Sequence, residues 1–374
     1  MTLESSYTPL RLADPELLFA AMGKRPLVGM TVDEMAAFLG ELGEPRFRAK
    51  QLFQWVYAKG VKQFSEMTNL SLALRTKLEQ KAMLVLLEPE TEQHADPTET
   101  TKYLFRLADG QKVESVLLRH DYGNAVCVTT QVGCRMGCTF CASTFGGLVR
   151  NLTAGEIVDQ IIMAGRDLPA GQRVGHVVLM GSGEPMENYE AVLKAIRLMH
   201  AADGLNIGYR HITISTSGLV PGIKQLAAEG LPITLAVSLH APNDDLRTQL
   251  MPVARMWSLT EVLEAAREYG EQTGRRVTYE YILIADLNDN PEHAYELGRL
   301  LKGSLAHVNL IPMNPVAERP QYRRPAQSRV NAFRDLLEQS GITATIRREM
   351  GGDIDAACGQ LRNRVARQRG AARS

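Results

Sequence analysis

The stretch Ala125-Val-Cys127-Val-Thr-Thr-Gln-Val-Gly133-Cys134-Arg-Met-Gly-Cys138-Thr-Phe-Cys141 joins an apolar run of strand length to a loop with three closely spaced cysteines. The chain contains six apolar runs of this kind, and segments with helical periodicity lie between them. The six runs are Ala125 to Thr129, Val174 to Met180, His211 to Ser215, Ile233 to His240, Val277 to Ile284 and Ala306 to Ile311. This alternation predicts an α/β fold with a parallel sheet, in which ligands bind at the carboxyl ends of the strands.

The helical segments between these runs carry their own start signals. Thr153-Ala-Gly-Glu156 is a capping box that opens a helix over Ala154 to Arg166. The same periodicity predicts helices over Tyr189 to His200, Leu259 to Thr273 and Pro291 to Lys302. Periodicity alone does not decide whether the sheet closes into a barrel or stays open.

The first ninety or so residues are predicted to be helical. Thr31-Val-Asp-Glu34 is a second capping box, and further helices are expected over Phe47 to Lys59 and over Ser71 to Leu87. The polar stretch from Glu88 to Thr101 is interpreted as a linker. A β-hairpin is predicted after it, from Lys102 to Ala108, an Asp109-Gly110 turn and Lys112 to Arg119.

Composition places the chain among ordinary globular proteins. It has 374 residues, of which 45% are hydrophobic and 22% charged, and this excludes a disordered chain, a collagen and a disulfide scaffold. No apolar run approaches the ~20 residues that cross a bilayer, and the first residues lack the layout of a secretion signal. We therefore expect a cytoplasmic protein without a membrane partner. Basic and acidic residues number 42 each, so any nucleic-acid surface must be local.

The cysteine loop indicates a metal centre. Three of the five cysteines follow a CxxxCxxC spacing, at Cys134, Cys138 and Cys141. Three thiolates could hold zinc, which takes a fourth protein ligand in structural sites, or an iron-sulfur cluster with one iron left open. Structural zinc sites usually pair two short knuckles, and this chain shows only one. The spacing therefore favours the cluster.

With Phe140 before its last cysteine, the loop resembles the CxxxCxΦC motif of the radical S-adenosylmethionine (radical SAM) superfamily. The resemblance implies that the three cysteines bind three irons of one 4Fe-4S cluster per chain, and that the fourth iron chelates SAM. Gly181-Ser-Gly183-Glu184-Pro185, after the second strand, is similar to the glycine-rich edge that holds the SAM amino group in that superfamily.

A closer resemblance, to the dual-specificity ribosomal and transfer RNA adenine-C2 methyltransferases, extends over most of the chain. It rests on stretches in the same order: Phe47-Arg-Ala-Lys-Gln-Leu-Phe, Glu66-Met-Thr-Asn-Leu-Ser71, Gln131-Val-Gly-Cys134, Arg150-Asn-Leu152, Ile214-Ser-Thr-Ser-Gly218, Ser238-Leu-His240 and Asn309-Leu-Ile-Pro-Met-Asn314-Pro. The resemblance implies SAM contacts at Gly183, Glu184, Ser215, Ser238, Leu239, His240 and Asn314.

The same family implies a partial (β/α)6 radical SAM barrel with a small helical N-terminal domain. We accordingly expect a helical domain over residues 1–90 that could contact RNA, and a linker and hairpin over 91–122. The catalytic barrel is expected over 123–350, and a C-terminal segment with the methyl-carrying cysteine and a basic tail over 351–374.

Three further residues take roles from the resemblance. Cys358 is expected to accept a methyl group from one SAM molecule, while a second SAM in each turnover yields the deoxyadenosyl radical that activates that methyl group. Cys127 is expected to release the resulting protein-RNA adduct, leaving a disulfide with Cys358, and Glu114 to accept the ring proton. Without the resemblance, each cysteine would be an ordinary small core residue, and Glu114 could equally be a partly buried polar position in an apolar strand or an exposed position on an edge strand.

The implied substrates are an adenosine of 23S rRNA at the peptidyl transferase centre and the tRNA adenosine next to the anticodon, both methylated at C2. A flavodoxin or ferredoxin is the expected electron donor. Two alternatives stay open. One is a related antibiotic-resistance methylase that modifies C8 of the same rRNA adenosine. The other, from a different class, is a non-catalytic iron-sulfur electron carrier or RNA-binding protein.

Two basic clusters could contact RNA phosphates. An arginine-rich tail is equally typical of a solvated chain end. The clusters are Arg362, Arg364, Arg367, Arg369 and Arg373 near the end of the chain, and Arg319, Arg323 and Arg324 before it.

Overall fold

The computed structural model of the chain describes residue 19 and residues 23–96, 100–316, 318–347 and 359–371, with side chains of the last range described as far as residue 365. Cys358 lies outside the described residues, as do Arg373 and the side chains of Arg367 and Arg369. Within the described part of the chain, no helix is both long enough and apolar enough to cross a bilayer.

The described residues form one large sheet and two small ones. The strands in chain order are β1 (Arg25–Pro26), β2 (Ala82–Met83), β3 (Leu87–Ala95), β4 (Thr100–Leu107), β5 (Lys112–His120), β6 (Gly123–Cys127), β7 (Gln131–Gly133), β8 (Leu148–Asn151), β9 (Val174–Leu179), β10 (Ile212–Thr216), β11 (Thr234–Ser238), β12 (Val277–Leu283), β13 (Ala306–Pro312) and β14 (Thr343–Ile346).

The large sheet has the order β14-β13-β12-β11-β10-β9-β6-β5-β4-β3. Neighbouring strands from β6 through β9 to β14 are parallel, whereas β3, β4 and β5 add an antiparallel meander beside β6. The six predicted parallel strands and the predicted hairpin are therefore confirmed. The short edge strand β14 was not predicted, because its alternating threonines give only a weak apolar signal.

Helices lie between the strands. In chain order they are α1 (Val32–Glu41), α2 (Arg48–Phe53), α3 (Leu72–Lys81), α4 (Ala154–Gly165), α5 (Tyr189–His200), α6 (Val220–Ala228), α7 (Asp244–Leu250), α8 (Leu259–Thr273), α9 (Pro291–Leu301), α10 (Gln327–Gln339) and α11 (Gln360–Ala371). A π-helix over Gln54–Ala58 continues α2. Both predicted capping boxes form, at Thr31 with Glu34 and at Thr153 with Glu156.

Two predictions from the sequence are wrong. The polar stretch from Glu88 to Thr101, interpreted as a linker, contains most of β3, which pairs with β4 from Leu87 to Ala95. Its polarity is that of an edge strand with one solvated face. The helix expected over Ser71 to Leu87 ends at Lys81, and Ala82–Met83 then pairs in parallel with Arg25–Pro26.

The N-terminal helices pack directly on the sheet-bearing part of the chain. The buried Asp159 carboxylate on α4 accepts hydrogen bonds from the backbone N–H groups of Leu86 (2.8 Å) and Leu87 (3.1 Å). Gly29 and Gly155 approach so closely that a Cβ on Gly29 would lie 2.8 Å from the Gly155 nitrogen. One continuous hydrophobic core thus includes both parts.

A buried arginine joins the hairpin, β8 and α4. The Arg150 side chain is 1% exposed, and its Nε donates to the Asp109 carboxylate at 2.6 Å. Its two terminal nitrogens donate to both carboxylate oxygens of Glu156, at 2.8 and 2.9 Å. A bidentate pair of this kind fixes orientation as well as charge. Arg150 therefore holds the closing strand of the cysteine loop against the first turn of α4.

We expect Arg150→Met to lower the free energy of unfolding by about 3–5 kcal/mol, because it leaves the buried Glu156 carboxylate without its cation. Urea denaturation followed by circular dichroism measures this. Arg267→Met is the matched control, since its pair with Glu271 on α8 is exposed and should contribute no more than about 0.5 kcal/mol. Equal losses in the two variants would contradict the assigned role of Arg150.

Candidate active site

The cysteine loop is enclosed by a two-stranded hairpin. The strands β7 and β8 are antiparallel, and the Cys134 N–H donates to the Gly147 carbonyl at 3.1 Å where the loop begins. Gly133 has φ of +81°, and a Cβ there would lie 2.0 Å from the Gly147 oxygen. Only glycine fits this position, so the backbone itself sets the entrance to the loop.

The three loop cysteines supply the thiols that an iron-sulfur cluster needs. Among the described residues, no three histidine, cysteine, aspartate or glutamate side chains lie close enough together to hold one metal ion. The thiols are nevertheless near neighbours: burial raises the pKa of Cys138, and the charges of Cys141 and Cys134 add to that effect. The loop supplies three thiols, the number that bind a 4Fe-4S cluster with one open iron. Burial also raises the pKa of Cys134 to about 12, so a metal would displace thiol protons on binding.

Contacts from residues distant in the chain hold the loop. The Thr139 N–H donates to the Leu250 carbonyl at 2.9 Å, and the Tyr322 hydroxyl donates to the Thr139 hydroxyl at 2.7 Å. The Phe140 ring meets the His240 ring edge to face, with centroids 5.0 Å apart. The aromatic residue of the motif therefore packs on a predicted SAM contact.

His240 is a neutral imidazole in a constrained turn after β11. Its φ is +62°, and its Nδ1 accepts a hydrogen bond from the Ile282 N–H at 3.0 Å. Burial lowers the pKa of His240 to about 3, in agreement with a ring nitrogen that accepts. Its carbonyl accepts from the Asn288 side chain at 2.9 Å. These bonds fix the backbone that follows β11.

The Gly183-Glu184 turn links β7, β9 and β10. Gly183 has φ of +110°, and a Cβ there would lie 2.7 Å from the Gln131 Cβ. The Glu184 N–H donates to the Gln131 side chain at 2.8 Å. The buried Glu184 carboxylate accepts from the Ser217 N–H (2.7 Å) and hydroxyl (2.8 Å), and from the Met186 N–H (3.1 Å). Burial raises the pKa of Glu184, whereas these donors lower it. Gln131 and Ser217 were not identified as site residues from the sequence.

The structure brings the predicted SAM contacts to one edge of the sheet. Ser215 lies in β10, Ser238 ends β11, and Leu239 and His240 follow it. Asn314 comes two residues after the end of β13, and its side-chain oxygen accepts from Arg324 at 3.4 Å. Because β9 to β13 are parallel, their carboxyl ends meet at the edge that carries the cysteine loop.

Glu114 and Cys127 line one small cavity. Its volume of about 10 Å³ has room for about one water molecule, and Lys102, Ser115, Val116, Thr129, Gly181 and Ser182 complete its wall. Glu114 is 5% exposed and Cys127 8% exposed. Glu114 is thus buried inside the meander, in contrast to the exposed edge position that its sequence context allowed.

The Glu114 carboxylate caps the N-terminus of α11. One oxygen accepts from the Gly359 N–H and the other from the Arg362 N–H, each at 2.7 Å. These are the N-cap and third positions of the helix, whose N–H groups lack partners within the helix. The Asn363 side chain adds a bond to the Ala142 carbonyl beside the cysteine loop at 3.0 Å. Gly359 is the residue that follows Cys358 in the chain.

The predicted basic clusters divide between buried and exposed positions. Burial lowers the pKa of Arg362, while Glu114 and the thiols of Cys141 and Cys134 favour its charged form, so this side chain lies near the cysteine loop rather than in a solvated tail. Arg323 pairs with Asp286 on the surface. In the same cluster as Arg323, Arg319 lies over the Phe145 ring, 5.1 Å from its centroid.

Comparison with known proteins relates the chain to two families. Residues 26–84 match the ribosomal RNA large subunit methyltransferase N-terminal domain, and residues 128–298 match the radical SAM superfamily. A crystal structure of a radical SAM methyltransferase from Sphaerobacter thermophilus is 47% identical, with a TM-score of 0.87, and covers 90% of this chain and 98% of that one. The expected radical SAM fold with an N-terminal domain is thereby confirmed.

Two curated relatives share nearly the whole length of the chain. One from Symbiobacterium thermophilum, named probable dual-specificity RNA methyltransferase RlmN, is 72% identical over 365 residues, or 98% of each protein. One of the same name from Desulforamulus reducens is 54% identical over 341 residues, or 91% of this chain and 97% of that protein.

We expect Gly359→Ala to detach α11 from the cysteine loop. Gly359 has φ of +85°, and a Cβ there would lie 2.8 Å from the Ser143 nitrogen, so both strain and a backbone clash oppose the substitution. Hydrogen exchange of the α11 amides, followed by mass spectrometry, should accelerate at least about tenfold, which corresponds to about 1.4 kcal/mol.

Gly341→Ala is the matched control, because Gly341 has φ of +80° with open space around its Cβ position. It should show the backbone strain alone and leave α11 exchange unchanged. Unchanged exchange in Gly359→Ala would show that the close contact with Ser143 does not hold the helix.

Proposed function

The chain belongs to the RlmN family of radical SAM RNA methyltransferases, and from that premise we propose that it methylates C2 of an adenosine at the peptidyl transferase centre of 23S rRNA and of the adenosine next to the anticodon in tRNA. One observation carries the proposal: the Glu114 carboxylate binds the residue after Cys358 and lines the same cavity as Cys127. The described residues Glu114, Cys127 and Gly359, which are far apart in sequence, thus lie close together.

The residues for the cofactors fit this activity. Cys134, Cys138 and Cys141 would hold one 4Fe-4S cluster, and the strand ends from Gly183 to Asn314 would hold SAM, used twice in each turnover. When bound, these groups supply the electron and the deoxyadenosyl radical that simple methyl transfer to a ring carbon lacks. A flavodoxin or ferredoxin is the proposed electron donor.

The two remaining cysteines would carry and release the methyl group. The Cys358 thiolate takes a methyl group from SAM, and this methyl carbon later becomes bonded to the adenine ring. The Cys127 sulfur then attacks the Cys358 sulfur, the bond between that sulfur and the methylene carbon breaks, and the carbon keeps the electron pair and takes up a proton. A Cys127 to Cys358 disulfide remains, and two electrons from a reductant restore the thiols.

Glu114 is the proposed acceptor of the ring proton. It is buried and faces Cys127, and its oxygens already contact the N–H groups at the start of α11. A proton taken up here would weaken those two hydrogen bonds, since a neutral carboxyl is a poorer acceptor than a carboxylate. Proton transfer would thereby loosen the segment after Cys358 when the product has to leave.

Two rival functions are separated by different features. The C8 methylase of rRNA would use the same residues, but the two relatives are named dual-specificity RNA methyltransferases, which agrees with the two RNA substrates proposed for the C2 enzyme. A non-catalytic iron-sulfur or RNA-binding protein would not need Glu114 and Cys127 in a common buried cavity. The N-terminal helical domain is the proposed accessory RNA contact.

The proposed position of methylation is tested on RNA made without it. Ribosomal RNA and tRNA from a strain that lacks 2-methyladenosine are incubated anaerobically with reduced protein and SAM, digested to nucleosides and analysed by mass spectrometry against both standards. We expect 2-methyladenosine in both RNAs. A product that elutes as 8-methyladenosine would identify the rival methylase, and deoxyadenosine formation without methylated RNA would exclude both.

We expect Cys127→Ala to trap the protein on its substrate, because methylation of Cys358 and addition to the ring need no Cys127 thiol, whereas release does. Protein isolated from cells should show a slow band on a denaturing gel that nuclease removes. The matched control is the double variant Cys127→Ala, Cys358→Ala, which lacks the methyl carrier and should show no such band. Normal methylation by Cys127→Ala would exclude the two-cysteine route.

A further inference from the structure

A lysine ammonium lies inside the cavity that Glu114 and Cys127 share. Lys102 is 0% exposed, and its Nζ lies 3.0 Å from a Glu114 carboxylate oxygen. Lysine is almost never fully buried unless it is paired, and burying two charges is costly even when they pair. The proposed steps at Glu114, Cys127 and Cys358 make no use of this charge.

Strand register places the three side chains on one face of the sheet. Lys102 in β4 lies opposite Val116 in β5, and Val116 lies opposite Cys127 in β6. Glu114 precedes Val116 by two positions, and side chains two apart on a strand share a face. Lys102, Glu114 and Cys127 therefore project together into the cavity, where Lys102 reaches Glu114 directly.

The charges around Cys127 act in opposite directions. Burial raises the pKa of its thiol; Arg347 and Lys102 lower it, and Glu114 raises it. Among the described residues, the charges that act on the thiol are those of Glu114 in β5, Lys102 in β4 and Arg347 just after β14. Protonation of Glu114 would remove the negative member of the set and leave the two cations.

We infer that Lys102 is a positioning residue for the release step: its ammonium orients the Glu114 carboxylate, and after Glu114 has taken up the ring proton it stabilises the thiolate of Cys127. The inference rests on the proposed function. Proton uptake by Glu114 and release of the RNA adduct are thereby coupled. The first step neutralises the negative charge of Glu114 beside Lys102, and the second step needs the Cys127 thiolate beside the same lysine. The thiol proton of Cys127 balances the proton that the released methyl carbon gains.

The test variant is Lys102→Gln, whose amide can still donate a hydrogen bond to Glu114 but carries no charge. In anaerobic single-turnover reactions we expect the Cys358-linked RNA adduct to form as in the unmodified enzyme. Its release should be at least about tenfold slower, which is the effect of raising the Cys127 thiol pKa by one unit. Raising the pH should restore release. Lys102→Arg keeps the charge and should release the adduct at nearly the normal rate.

Two controls separate this role from a structural one. Lys112→Gln removes a lysine of the same hairpin that pairs with Glu90 and does not line the cavity, and should leave release unchanged. The methyl mass on Cys358 should be normal in Lys102→Gln, since methylation of that cysteine does not need the Cys127 thiolate. Normal Cys358 methylation together with normal adduct release in Lys102→Gln would overturn the inference.

A measurement on the unmodified enzyme covers the case in which Lys102→Gln does not fold. If Lys102 keeps Cys127 ionised after proton uptake, the release rate should change less than about threefold between about pH 7 and pH 9. A rate that rises about tenfold per pH unit would overturn the inference. Failure of Cys127→Ala to trap RNA would instead reject the proposed function, so the two results are distinguishable.

Discussion

The hydrogen bonds between the Glu114 carboxylate and the first turn of α11 join parts of the chain that are 245 residues apart. They bring the C-terminal segment against the antiparallel meander, next to Cys127 and the cysteine loop. Without them, α11 would keep only its weaker contacts beside the cysteine loop, such as the bond from the Asn363 side chain to the Ala142 carbonyl. The buried Lys102 ammonium, in turn, stabilises the charge of the buried Glu114 carboxylate.

Much of the fold could be predicted because it depends on local patterns. The apolar runs and the Thr31 and Thr153 capping boxes are signals within a few residues, and they form as expected. The strand β3 was missed because edge strands need few apolar residues, and its pairing with β4 depends on a partner that the polar sequence does not reveal. The early end of α3 likewise reflects pairing with Arg25–Pro26, a contact over more than fifty residues.

The site residues likewise divide into those that local sequence patterns identify and those that only the folded structure reveals. The loop cysteines and the strand-end residues were identified because their spacing, or a resemblance to known motifs, marks them. Lys102 and Ser217 were not, since a lysine at the start of a predicted strand and a serine in a turn are ordinary in sequence. Their importance arises from register across neighbouring strands and from burial. Arg362 shows the converse, because a residue of an arginine-rich tail is half-buried and donates its backbone N–H to Glu114.

The capping of α11 by Glu114 also bears on how the protein is made. Ribosomes synthesise the chain from its N-terminus, so Lys102, Glu114 and Cys127 emerge long before Gly359. Until Gln360 and the residues after it have been synthesised, the carboxylate has no helix to cap. The contact between Glu114 and α11 is therefore made late, after the meander and the cysteine loop are already complete in the growing chain.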